Sequence, residues 1–112
     1  MSTPHGTWSV ETTNDASILV EFEGAITTQM GEDSVERLIE LLGRGSAALI
    51  FHVVNVRGYD AGARQAWQTA LWPRRDRIIS IRIISNSALT RMGGRMFATF
   101  MRIPCTIEAN GA

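Results

Sequence analysis

From Thr7 to Thr27 the chain reads TWSVETTNDASILVEFEGAIT, and its second half alternates: Ile18, Val20 and Phe22 point one way, Glu21 and Glu23 the other. That period of two predicts strands with one buried face, and the polar cluster TNDA predicts the turn joining them. The period then lengthens. In TTQMGEDSVERLIELLGRG, Val35, Leu38, Ile39 and Leu42 fall at i, i+3, i+4 and i+7, the spacing of a helix laid on a core. Thr28 or Asp33 suits its start, depending on whether Gly31 lies inside it, and Gly43 or Gly45 suits its end.

AALIFHVVNV follows, apolar on both faces and rich in β-branched residues, which predicts a central strand covered on both sides with His52 as a hydrogen-bonded core residue. Beyond the turn RGYDAG, the residues Ala63, Ala66, Trp67, Ala70 and Leu71 form one stripe of a second helix, which Pro73 ends. IISIRII, residues 78–84, predicts a fourth strand. In NSALTRMGGRMFATFMRIP, Leu89, Met92, Gly93, Met96, Phe97 and Phe100 share a face, predicting a third helix with that face on the core. Met101 sits at the margin of the stripe and is expected to be exposed. Asn86 or Ser87 suits as cap, Pro104 as stop, and Arg91, Arg95 and Arg102 line the opposite face. CTIEA closes as a short fifth strand. The order β-β-α-β-α-β-α-β predicts an α/β fold: one domain over residues 7–109, with a mixed, mostly parallel five-stranded sheet packed with three helices. Residues 1–6 and 110–112 read as loose ends.

A chain of 112 residues is long enough to bury roughly 60–70% of its unfolded surface without a metal or a disulfide. Cys105 is the lone cysteine, and His5 and His52 have no neighbours at metal-ligand spacing, so no cofactor or metal is expected and a reducing, cytoplasmic setting is. MSTPHGTWSV lacks a basic region followed by an apolar run, and no stretch approaches the ~18 apolar residues of a membrane span. The expectation is a soluble chain with no membrane insertion. Net charge is zero, which argues against a general nucleic-acid binder, but the charges are unevenly placed. Up to Val56 eight acids face Arg37 and Arg44, a balance of −6; from Arg57 on, nine arginines face Asp60, Asp76 and Glu108, a balance of +6. Such polarity suits docking in a fixed orientation, on a protein partner or on a second copy as a homodimer. Base composition of the genome explains the use of Arg in place of Lys better than phosphate recognition does.

The turn after the third strand invites a test for chemistry. Gly58 and Gly62 could offer amides to an anion, but the spacing is too short for GxxxxGK[ST], no lysine follows, and GxGxxG is absent. Cys105 has no histidine nearby in sequence to activate it and reads as a small buried hydrophobe. Glu21 and Glu23 read as outer-face residues of a strand, and Asp33 and Glu36 as acids of a helix first turn. Trp72, off the core stripe and followed by PRRDR, has the composition of a binding hot spot, or else folds down over the helix end.

The element order, with ILVEFEGAIT, LIFHVVNVRGYDAGARQAW and IISIRIISNSALTRMGGRMFATFMRIP, resembles the STAS domain, the module of sulphate transporters and anti-sigma factor antagonists. The likeness spans roughly residues 8–109 and rests on a Gly-terminated second strand at Gly24, a buried third strand and an acidic turn opening the second helix. In members that antagonise anti-sigma factors the turn reads Asp-Ser-Ser-Gly, and a serine in it is phosphorylated by the partner kinase. Here the matching residues are Asp60, Ala61, Gly62 and Ala63: the acid is kept and both hydroxyls are gone, so the switch has no acceptor. The resemblance implies a non-enzymatic regulatory module that docks a protein partner through Arg57, Tyr59, Asp60, Arg64 and Trp72, with Asp60 capping the second helix. The alternative is a small apolar or anionic ligand held between helix and sheet, with Met92, Met96, Phe97 and Phe100 lining the pocket.

Overall fold

The computed structural model describes residues 6–13 and 15–109, the side chains of Leu89 and Thr90 excepted. Residues 1–5 and 110–112, expected as loose ends, Asn14 of the expected turn, and the Leu89 side chain lie outside the described residues. Gly6, counted above with the loose ends, donates its amide to the carbonyl of Ala25 at 3.2 Å and so belongs to the folded body.

In chain order the elements are β1 (Thr7–Thr12), β2 (Ser17–Ile26), α1 (Thr28–Leu42), β3 (Ala47–Tyr59), α2 (Ala61–Leu71), a 3-10 segment (Trp72–Arg77), β4 (Ile78–Ile84), α3 (Ala88–Met101) and β5 (Cys105–Glu108). One sheet holds the strands in the order β1-β2-β3-β4-β5; β1 pairs with β2 antiparallel and every later pair is parallel. The expected α/β architecture is therefore the one observed.

Strand neighbours in sheet order are also neighbours in sequence, so three right-handed crossovers carry α1, α2 and α3 to the same face. This corrects the expectation of a doubly covered third strand. On the helix side Val20, Leu49, Val53, Ile81 and Ile83 are buried with the helices' inner stripes. On the other side Leu19, Ile50, His52 and Val54 are only half-buried. His52 is thus no core histidine: it lies in a row across the sheet, Glu21, His52, Ile84 and Glu108, with its Nδ1 3.9 Å from Glu21 Oε2. A second pair on that face joins Arg82 to Glu108 at 2.7 Å, and the carboxylate raises the Arg82 pKa through its hydrogen bond and its charge.

The N-terminal cap of α1 is Thr27, one residue before Thr28 and six before Asp33, the two expected caps. Thr27 is extended and its hydroxyl accepts the Met30 amide at 3.2 Å; Gly43, with φ +54°, takes the other end. Arg77, from the 3-10 segment, donates to the carbonyls of Gly43 (2.8 Å) and Gly45 (3.0 Å), and Arg74 to that of Ala70 (2.7 Å). Much of the basic run PRRDR is thereby spent on backbone carbonyls at helix ends, where a cation also complements the helix dipole. Pro73 ends the α-helical geometry of α2 as expected, and the chain continues through a 3-10 segment to Arg77.

α3 departs furthest from the sequence reading. Met92, Met96 and Phe100, expected on the core, are 61%, 59% and 56% exposed, while Met101, expected outside, is fully buried. The inner face is Gly94, Phe97, Ala98 and Met101, also at i, i+3, i+4 and i+7. The helix is thus turned by about 100°, one residue's step, from the face with the bulkier hydrophobes. Sterics explain the choice. Gly94 sits against the Ile83 side chain and Gly93 against the Tyr59 hydroxyl, so the backbone lies close on the sheet where a Cβ would not fit without movement. Arg102, expected on the helix's basic face, stands just past its end in the left-handed region at φ +59°.

Candidate functional site

The turn singled out by sequence is built by contact between two helix N-termini. Gly31 of α1 faces Ala63 of α2 so closely that a Cβ on Gly31 would lie 2.5 Å from the Ala63 Cα, and Gly62 lies directly on the Thr28 side chain. This proximity redirects Asp60. It occupies the residue before α2 but makes no side-chain cap there. Its carboxylate instead accepts the Thr28 amide, the first of α1, at 3.1 Å, while its own amide donates to the Ile26 carbonyl at 2.9 Å. The expectation that Asp60 caps α2 is corrected: it caps α1, because the first amides of α1 have no intrahelical acceptor and lie within reach. Asp60→Ala is expected to lower unfolding free energy by about 1 kcal/mol and Asp60→Asn by less, measured by urea denaturation; equal losses would mean that the acceptor oxygen is not what matters.

The other residues expected to bind a partner do not gather into one patch. Tyr59 and Arg64 come together at a cavity between α2, α3 and the sheet. Arg57 lies apart, beside a polar hollow with Glu23 and Asn55 near the bulged register of β2 and β3. Trp72 stands at the far end of α2, about 18 Å along the helix axis from Asp60. The residue is 42% exposed; its ring packs on Phe100 with centroids 5.3 Å apart and carries the Arg75 guanidinium 3.9 Å from its centroid. The ring is folded onto a neighbour and still open to solvent.

The cavity has a volume of about 130 Å³. Its floor is the helix face of the sheet, with Phe22, Phe51, Val53, Ile81 and Ile83; α2 contributes Ala63, Arg64 and Trp67, and α3 contributes Gly93, Gly94 and Phe97. Of the pocket residues expected from sequence, Phe97 lines it; Met92, Met96 and Phe100 do not, because α3 is turned so that they face outward. Trp67 forms much of one wall, edge-on to Phe51 at 5.3 Å and to Phe22 at 6.3 Å. The floor residues escaped the sequence reading because strand alternation marks a residue as inward without telling packed core from cavity wall. One signal was available: two adjacent glycines inside a helical run, each costing roughly 1 kcal/mol relative to alanine, call for a close approach.

Polar chemistry at the cavity is sparse. Arg64 is the one charged side chain lining it, and its Nε is buried with no hydrogen-bond partner among the described residues. Cys105 lies elsewhere, at the start of β5; burial pushes its thiol pKa up, partly offset by Arg95, so it is held protonated and is a poor nucleophile. Among the described residues no group of three His, Cys, Asp or Glu side chains is placed to hold a metal ion, and no helix is long and apolar enough to cross a membrane.

A five-stranded, mostly parallel sheet with three helices on one face and an acidic turn opening α2 defines the class: this is a SpoIIAA-like α/β domain, the fold of STAS domains. Among solved structures it is similar to an uncharacterised protein of the DUF3478 family from Shewanella loihica PV-4, described as having a SpoIIAA-like fold. The two share 14% identity with a TM-score of 0.74, covering 96% of this chain and 90% of that one. At that identity the likeness establishes the fold. No family model matches the chain, and no curated protein does.

Proposed function

We propose that this chain is a non-enzymatic binding module whose cavity between α2 and α3 takes a small apolar ligand. The observation that carries the reading is the cavity itself: about 130 Å³, walled by Phe22, Phe51, Trp67 and Phe97, under a helix brought close by two glycines. An engineered apolar cavity of about 150 Å³ binds benzene, so the volume suits a body of one aromatic ring. Benzene added to the protein is expected to shift the amide resonances of Gly93 and Gly94 saturably. Val53→Phe, which places a ring in the hollow from the sheet side, should weaken that binding by at least roughly tenfold. Shifts that rise linearly without saturation, or that persist unchanged in Val53→Phe, would sink the reading.

A regulatory role through a protein partner is the second reading, favoured by the exposed apolar row of Met92, Met96, Phe100 and Trp72. Aromatic residues beside an arginine are the usual anchors of an interface, and Trp72, Phe100 and Arg75 supply them together. It does not require the serine switch, whose two hydroxyl positions in the resembling turn are taken here by Ala61 and Gly62. The double variant Trp72→Ala/Phe100→Ser is expected to lose a verified partner in co-purification while keeping its far-ultraviolet circular dichroism; unchanged retention of that partner would move the interface elsewhere.

A further inference from the structure

We infer that the ligand is a small monocarboxylate, its apolar body seated between Trp67, Phe97 and the sheet and its carboxylate held side-on by Arg64; this rests on the cavity reading above. Three observations lead there. The cavity is apolar on its floor and on the α3 side, so it selects a hydrophobic body. Arg64 is the one charged side chain lining it, and no acid among the described residues does so, which leaves a cationic ligand without a counter-ion. The nearest acid in sequence, Asp60, is engaged with Thr28 of α1.

The third observation concerns the state of Arg64. Its Nε is buried and finds no acceptor among the described residues. A buried donor without a partner is costly, the more so on a charged group, and a carboxylate that meets it as the Arg64 side chain turns toward the cavity removes that cost. A guanidinium presents Nε and a neighbouring Nη as parallel donors, matching the two oxygens of a carboxylate; a neutral hydroxyl satisfies only one. Volume bounds the rest. At about 130 Å³ the cavity holds one ring or a chain of similar bulk, which excludes long-chain fatty acids lying wholly inside.

Benzoate and benzyl alcohol, of similar size and differing in charge, test this by titration of the intact protein with the Gly93 and Gly94 amides as reporters. Benzoate is expected to bind at least roughly tenfold more tightly than benzyl alcohol. Arg64→Met should erase that preference while leaving the alcohol's affinity in place, and Arg64→Lys, which keeps the charge but loses the fork, should retain part of it. If both probes bind the wild type equally, or if Arg64→Met leaves benzoate unaffected, the carboxylate assignment is overturned and the apolar cavity stands. If neither probe saturates, both readings fall.

Discussion

Trp67→Ala is expected to cost about 3–5 kcal/mol of stability, a large share of the roughly 5–15 kcal/mol that holds a domain of this size. Three contributions are lost together. Trp67 is 5% exposed, so the apolar area of its ring goes from buried to absent. Its edge-on contacts with Phe22 and Phe51 tie α2 to β2 and β3. Its Nε1 donates to Ser34 Oγ at 3.1 Å, and that hydroxyl in turn donates to the Gly31 carbonyl at 3.1 Å, a polar link buried between α1 and α2. The void would also merge with the neighbouring cavity, which leaves little to collapse onto it. Trp67→Phe separates the parts: most of the area is kept, and the lost hydrogen bond accounts for about 1 kcal/mol. Urea denaturation of the two variants reads the difference; a loss below about 2 kcal/mol for Trp67→Ala would show that the helices relax into the gap more freely than their packing implies.

The second large effect is a reversal of sign. Gly31 lies inside α1, where glycine to alanine ordinarily stabilises by about 1 kcal/mol. Here the new methyl meets Ala63 at its Cα (2.5 Å), Cβ (2.7 Å) and carbonyl oxygen (2.9 Å), none of them a flexible side-chain end. The two helices must separate, and overpacking of that kind costs about 1–3 kcal/mol. Gly31→Ala is therefore expected to destabilise by up to about 2 kcal/mol net. Gly94→Ala in α3 is the control: its methyl meets the terminal carbon of Ile83, which can swing aside, so the helix-propensity gain should survive. Thermal unfolding of both variants decides the matter, and a rise in Tm for Gly31→Ala would show that the α1–α2 contact is looser than it stands. The consequence extends to Asp60, whose bond to Thr28 depends on that same close approach.

Much of the fold was legible in the sequence. The alternation in β2, the 3.6-residue stripe of α1 and the β-branched run of β3 each named their element, and their order named the parallel sheet with its antiparallel first strand. Less of the candidate site was legible. Tyr59, Arg64 and Phe97 were singled out and do meet at the cavity, but the reading had placed the first two on a docking surface and the third in a pocket with Met92, Met96 and Phe100. Helical periodicity identifies an apolar arc without saying which part of it faces inward, and α3 carries apolar residues around more than half its circumference.

By itself the sequence determined which residues form helices and strands, the order in which they come, and the absence of a hydroxyl at positions 61 and 62, held by Ala61 and Gly62; those follow from local periodicity, turn chemistry and residue identity. Tertiary structure alone decided three things. Right-handed crossovers between sequential neighbours put every helix on one face, which left His52 on the open one. Contact between two helix starts sent the Asp60 carboxylate to α1. Two glycines let α3 lie close on the sheet with its bulkiest residues outward, and that rotation is what puts a cavity, with Arg64 beside it, where a packed core was expected. Each depends on atoms far apart in the chain, whose distances no local pattern encodes.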